Sequence, residues 1–175
     1  LLINCCGLAN FGPALSLSES AENALWQVNY QAPIRLMRQV VKRNCKIRLV
    51  QLSSLAALCP HPYLAAYSAS KAALQTYCLA LQEELRLKGS EVTVCLYILG
   101  PVRTTIFPLE LQDALGGSQL QMSPETAARH IIRLLQQGRF YAIVGKRYRL
   151  LAWLMKLLPQ RWIIRLIGAY LRKGL

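Results

Sequence analysis

Short apolar runs that alternate with long helical stretches constrain this chain more than any other feature. Residues 1–6 form one such run, ended by Gly7. Residues 45–52, 91–99 and 140–144 form three more. Helix signals fill the intervals. Ser18 or Ser20 can cap a helix running to about residue 43, with Glu22 in its first turn. Residues 64–88 carry a second helix, which Gly89 stops. Ser123-Pro124-Glu125 opens a third, to about residue 137, with a capping serine followed by proline at the first helical position. The order is β-α-β-α-β-loop-α-β. Strands joined by helices rather than tight turns run parallel, and a parallel sheet is covered on both faces. The expected fold class is α/β.

At 175 residues the chain is long enough for one domain with a real core. Its 54% apolar and 17% charged content excludes a disordered chain. Residues 1–145 are read as the sheet domain and residues 146–175 as a basic amphipathic helical tail. The six cysteines form no CxxC pair and sit mostly in apolar runs, so they are expected to be small buried hydrophobes in a reduced compartment. Neither histidine stands at ligand spacing from a cysteine, and no metal site is expected. The net charge of +13 is concentrated late: from Arg129 onward there are eleven Lys and Arg and no Asp or Glu. No zinc-finger spacing or aromatic RNA-binding signature accompanies it, so nucleic acid is not an expected partner. No uncharged apolar stretch is long enough to span a bilayer.

The residues with chemical promise cluster in mid-chain. Tyr67 and Lys71 in Tyr67-Ser68-Ala69-Ser70-Lys71 are four apart, and so share one helix face. An ammonium beside a phenol stabilises the phenolate and makes tyrosine a usable general acid/base. The spacing alone is also met by chance on helix surfaces. Ser54 ends an apolar run thirteen residues before Tyr67. A hydroxyl at a strand's C-terminal end faces the crevice where open α/β sheets bind ligands, although turn serines are common there too. Asn29 lies inside the first long helix, four residues before Pro33. Pro33 has no N–H, so the Asn29 carbonyl loses its usual helical donor and is free to hold a water; a simple kink is the alternative.

In order and spacing, these residues resemble the short-chain dehydrogenase/reductase family from residue 1 to about residue 144. The resemblance implies a Rossmann-type, doubly wound parallel sheet in three α/β/α layers, here truncated and followed by the helical tail. It implies Asn29, Ser54, Tyr67 and Lys71 as the catalytic set, with Asn29 holding a relay water. NAD or NADP is the implied cofactor. Tyr67 and Lys71 would touch it, as would Gly100, Pro101, Val102 and Thr104 of Leu99-Gly100-Pro101-Val102-Arg103-Thr104, beside the nicotinamide carboxamide. Asn4 of Asn4-Cys5-Cys6-Gly7 would lie near the adenosine. The implied reaction is hydride transfer between the nicotinamide and a carbonyl or alcohol carbon.

Three departures from the family pattern stand out. Cys5 and Cys6 replace Asn and Ala, and Leu99 replaces a proline. The glycine-rich TGxxxGxG turn that cradles the pyrophosphate is absent, and would precede residue 1. The expectation is a fragment or a truncated gene product, with the first strand's edge left bare.

The tail carries Trp153, Trp162 and many Leu and Ile, and Pro159 divides it into two helices. Arg161, Arg165 and Arg172 fall on one face. The first helix is expected to pack over the crevice or against another subunit, and the second to lie on an anionic membrane. The overall expectation is a cytoplasmic oxidoreductase, peripheral at a membrane, acting on a small and lipophilic carbonyl or alcohol, with homo-oligomers allowed. Two alternatives stand beside it: a non-catalytic scaffold on the same fold, and a membrane-surface protein acting through its tail.

Overall fold

A computed structural model describes residues 1–43, 45–107 and 121–172. Strands β1 (Leu2–Asn4), β2 (Ile47–Ser54), β3 (Val92–Leu99) and β4 (Tyr141–Ile143) lie side by side in that order. Every neighbouring pair is parallel. Along β2 and β3, neighbouring residues enter opposite cores. Leu49 of β2 and Val92, Val94 and Leu96 of β3 pack with helices α2 (Ala32–Lys42) and α3 (Ala65–Leu87). Val50, Cys95 and Tyr97 point the other way, against α4 (Pro124–Gln136). Burial on both faces is why these runs are apolar throughout rather than alternating.

Local chemistry sets the helix ends. The Ser18 hydroxyl accepts the Ala21 N–H at 3.3 Å and starts α1 (Glu19–Trp26). Ser123 does the same for α4 through the Thr126 N–H at 3.2 Å. After α3, Gly89 takes φ +63°, and the Ser90 N–H closes on the Leu85 carbonyl at 3.0 Å. Between α1 and α2 the chain answers Pro33 with a π turn over Gln27–Gln31, where the Ala32 N–H reaches back to the Gln27 carbonyl. The missing proline N–H widens the ladder by one residue.

Three expectations are corrected. Strand β2 begins at Ile47 rather than at residue 45, and runs through Ser53 and Ser54, paired with Ile98 and Leu99, to the strand end expected of Ser54. Strand β1 stops early at Asn4, so Cys5 and Cys6 leave the sheet. These two cysteines and Cys45, in the loop before β2, are exposed; Cys59, Cys78 and Cys95 are buried. Residues 108–120, within the expected loop after the third strand, and residues 173–175 of the tail lie outside the described residues.

The tail forms α5 (Lys146–Leu157) and α6 (Gln160–Leu171), parted at Pro159. Tyr148 and Ala152 of α5 join the core around Val50, Tyr97 and Val144. Leu171 of α6 joins Leu25, Leu64 and Tyr67.

Candidate active site

The C-terminal ends of β1, β2 and β3 open on one side of the sheet, where α/β proteins place ligands. A cleft of about 360 Å³ lies there. Ser54, Tyr67 and Lys71 line it, together with Gly100, Pro101, Val102 and Thr104 after β3. Ile106 and Phe107 close one side; the Phe107 ring meets Tyr67 edge-on at 5.7 Å between centroids.

Each side chain is placed by its own element. Ser54 is the last residue of β2, and its hydroxyl accepts the Ala56 N–H at 3.2 Å. Tyr67 and Lys71 ride the first turns of α3, only 6% and 5% exposed. The Lys71 ammonium donates to the Leu52 carbonyl at 3.2 Å and lies 6.0 Å from the Tyr67 ring centroid. Burial works against charge on both groups. It pulls Lys71 down to about 8, only partly offset by the Cys6 and Cys78 thiols. It pushes Tyr67 up, and the Ser54 hydroxyl is the group that opposes this. Ser54 thus acts on the phenol beside Lys71, the group to which the sequence pattern assigns the stabilisation of the phenolate.

Asn4 and Asn29 do not line the cleft; they brace it. Asn4 donates from Nδ2 to Gln51 Oε1 at 2.8 Å and accepts the Cys6 N–H, tying β1 to β2 and shaping its exit. Asn29 is fully buried. Its side chain accepts the Leu8 N–H and donates to the Leu8 carbonyl, both at 2.8 Å, and donates to Ser70 Oγ at 3.0 Å. Ser70 passes this on to the Tyr67 carbonyl at 2.8 Å. Asn29 therefore connects the loop after β1 to the turn of α3 that carries Tyr67.

Sequence reasoning missed several contributors. Gly7 lines the cleft beside the ammonium: a Cβ there would make ordinary contacts, 3.4 Å from Lys71 Nζ and 3.5 Å from Ile106. A Cβ at Gly100 would fall 2.5 Å from the Tyr148 ring, and the Tyr148 hydroxyl donates to the Pro101 carbonyl at 3.1 Å. The tail thus holds the segment after β3 in place. His61, weighed in the sequence only as a metal ligand, lines the cleft; burial lowers its pKa, and its Nδ1 lies 2.8 Å from the Cys59 carbonyl. The Gly100–Tyr148 contact joins positions with no pattern between them.

The cleft's volume falls within the range of small-ligand sites, at roughly 300–1,000 Å³.

Fold and site together define a parallel α/β protein with a tyrosine–lysine pair at the strand ends. The family model for short chain dehydrogenase matches residues 1–113. The chain belongs to this family. It is 28% identical to a probable short-chain type dehydrogenase/reductase of Helicobacter pylori strain J99, over 93% of this chain and 68% of that protein. It is 34% identical to an NADPH-dependent 1-acyldihydroxyacetone phosphate reductase of Schizosaccharomyces pombe, over 60% of this chain and 36% of that protein. The solved structure of a 4-hydroxyisoleucine dehydrogenase, complexed with NADH and succinate, superposes with a TM-score of 0.69 at 28% identity, covering 82% of this chain and 65% of that one. The chain spans between about a third and two-thirds of the length of these relatives.

Proposed function

We propose that the protein is a NAD(P)-dependent oxidoreductase that interconverts a carbonyl and an alcohol, with Tyr67 as general acid/base. The observation that carries this reading is the convergence of Ser54, Tyr67 and Lys71 on one cleft with the backbone of residues 100–102. Relatives whose names specify NADPH, and a neighbour complexed with NADH, support the cofactor class. The cofactor, when bound, supplies or accepts the hydride.

The chain's own residues do the rest. Lys71 would bind the ribose hydroxyls, while the backbone near Val102 and the Thr104 hydroxyl would hold the carboxamide. Ser54 would hydrogen-bond the substrate oxygen. Tyr67 Oη would give that oxygen a proton in reduction and take one in oxidation. Burial raises the Tyr67 pKa, so its resting form at neutral pH is the protonated phenol, which carbonyl reduction requires. Asn29 would steady Tyr67 through Ser70. Tyr67→Phe removes the transferable proton but leaves the ring packed on Phe107. In the complete protein, turnover is expected to drop by about 10²–10⁴ with thermal unfolding unchanged. Undiminished turnover in the variant rejects the role.

The outward apolar face of the tail favours a second, compatible reading: contact with a membrane surface. The scaffold alternative gains no support from a cleft that Ser54, Tyr67 and Lys71 line together.

A further inference from the structure

Helices α5 and α6 each bury one side and expose an apolar stripe on another. On α5, Leu150, Trp153, Leu154 and Leu157 follow helical spacing and are 59%, 56%, 43% and 62% exposed. On α6, Trp162, Leu166 and Tyr170 repeat every fourth residue, and all are exposed. An outward stripe of this size marks an interaction surface. Cations flank it. Lys146, Arg149 and Lys156 run along α5, and Arg161, Arg165 and Arg172 along α6.

Beside the stripe lies a hollow of about 490 Å³ between α4, β4 and α5, with Trp153 in its wall. Arg133, Arg139, Lys146, Arg149 and Lys156 line it. None of the five pairs with a carboxylate; among the described residues the ion pair present is Arg86–Glu83, on α3. No acidic residue occurs in the sequence after Glu125. Five like charges around one hollow repel each other unless an anion enters.

We propose that this hollow seats the phosphate of an anionic lipid headgroup while the α5 stripe enters the acyl boundary. The proposal rests on the membrane-contact reading above and adds a built headgroup site to it. Charge and stripe together select the occupant. A second copy using the same face would meet five cations with five cations. A nucleic acid would satisfy the cations but leave the leucines and tryptophans wet. An anionic bilayer satisfies both, with Trp153 and Trp162 suited to its headgroup level. No helix among the described residues is long and apolar enough to cross a membrane, so the contact is interfacial. Because Leu171 of α6 belongs to the same core cluster as Tyr67, one helix links the docked face to the cleft. That arrangement suits a carbonyl substrate drawn from the lipid phase.

Vesicle flotation of the full chain tests this, using phosphatidylcholine with and without phosphatidylglycerol. Wild type is expected to float with the anionic vesicles only. Arg133→Gln/Arg139→Gln/Arg149→Gln removes three exposed charges and is expected to weaken binding about a hundredfold, at roughly fivefold per charge. Arg35→Gln/Arg38→Gln/Lys42→Gln removes the same charge from α2 and is expected to bind as wild type. Equal loss in both triple variants overturns the site, since net charge alone then explains binding. Leu150→Ser/Trp153→Ser/Leu157→Ser is expected to abolish flotation. If this stripe variant fails to bind but the Arg133 variant binds normally, membrane contact survives and the headgroup site falls. If wild type does not float at low salt, both fall. Calorimetric binding of inorganic phosphate without flotation would mark a free-phosphate site, and a dimer lost only in the stripe variant would mark a second copy; either overturns the proposal. Every substituted side chain is exposed, and circular dichroism melting checks that the fold persists.

Discussion

Lys71 carries its ammonium into an almost closed space, and the charge has a measurable cost. Its pKa falls from an ordinary 10.5 to about 8. Between those values the unfolded chain holds a proton that the folded chain has shed. Stability therefore climbs as pH rises from about 8 toward 10.5, by at most about 3 kcal/mol. Below about 8 both states are charged and the folded one bears the full penalty. The buried thiols act in the opposite sense. Cys78, for example, is pushed up to about 12, so ionisation of the unfolded thiol near 9 favours unfolding. The informative quantity is thus the difference between wild type and Lys71→Met. At pH 7.5 the methionine variant is expected to melt several degrees higher, with the gap narrowing by pH 9.5. A gap that stays constant across this range would show that Lys71 is not titrating there. The Tyr67–Lys71 spacing was legible in the sequence. That burial, with Ser54 as the counterweight, governs the phenol was not, because it depends on Phe107, Leu64 and the tail closing over the ring.

At the scale of the elements, the π turn shows how far a local signal reaches. Proline's missing N–H announced that something must happen at Asn29, and the backbone widens there. The sequence pointed to the Asn29 carbonyl as the working group. The side chain turns out to carry three hydrogen bonds of its own, to a loop twenty-one residues away and to Ser70. Asn29→Ala strands the Leu8 amide and carbonyl, and is expected to lower stability by about 2 kcal/mol in urea titration. Pro33→Ala restores the N–H and allows an ordinary α-helical ladder. It is expected to shift Asn29 off Leu8 and destabilise the chain, although proline-to-alanine changes inside helices ordinarily help. A stabilised Pro33→Ala would mean that the π turn does not depend on the proline. Helix ends were readable because their caps are local, as at Ser18, Gly89 and Ser123. Strand starts were not: β2 begins at Ile47, where β3 offers Val92 beside it, a partner forty-five residues away.

Across the whole molecule, the tail and the cleft are one construction. Tyr148 fills the space that a side chain at Gly100 would need, and its hydroxyl holds the Pro101 carbonyl. Gly100→Ala must displace that ring, and is expected to cost about 1–3 kcal/mol. It is also expected to speed proteolysis within α5 and α6, as followed by mass spectrometry. Unchanged cleavage would show the helices docked by other contacts. The alternation of strands and helices made the layered parallel sheet legible, and the spacing of Ser54, Tyr67 and Lys71 made the cleft legible. The docking of residues 146–172 was not, since the same leucine-rich helices could pack inward or face a membrane. The role proposed for Tyr67 is to move the proton in a nicotinamide-dependent reduction. It is tested most directly by following NADH and NADPH oxidation on a panel of aliphatic and cyclic ketones, with wild-type and Tyr67→Phe forms of the complete protein side by side. The expected result is turnover by wild type and its loss in Tyr67→Phe, with nucleotide binding, read by fluorescence, retained. Equal turnover by the two, or a folded wild-type protein that binds neither nucleotide, would contradict it.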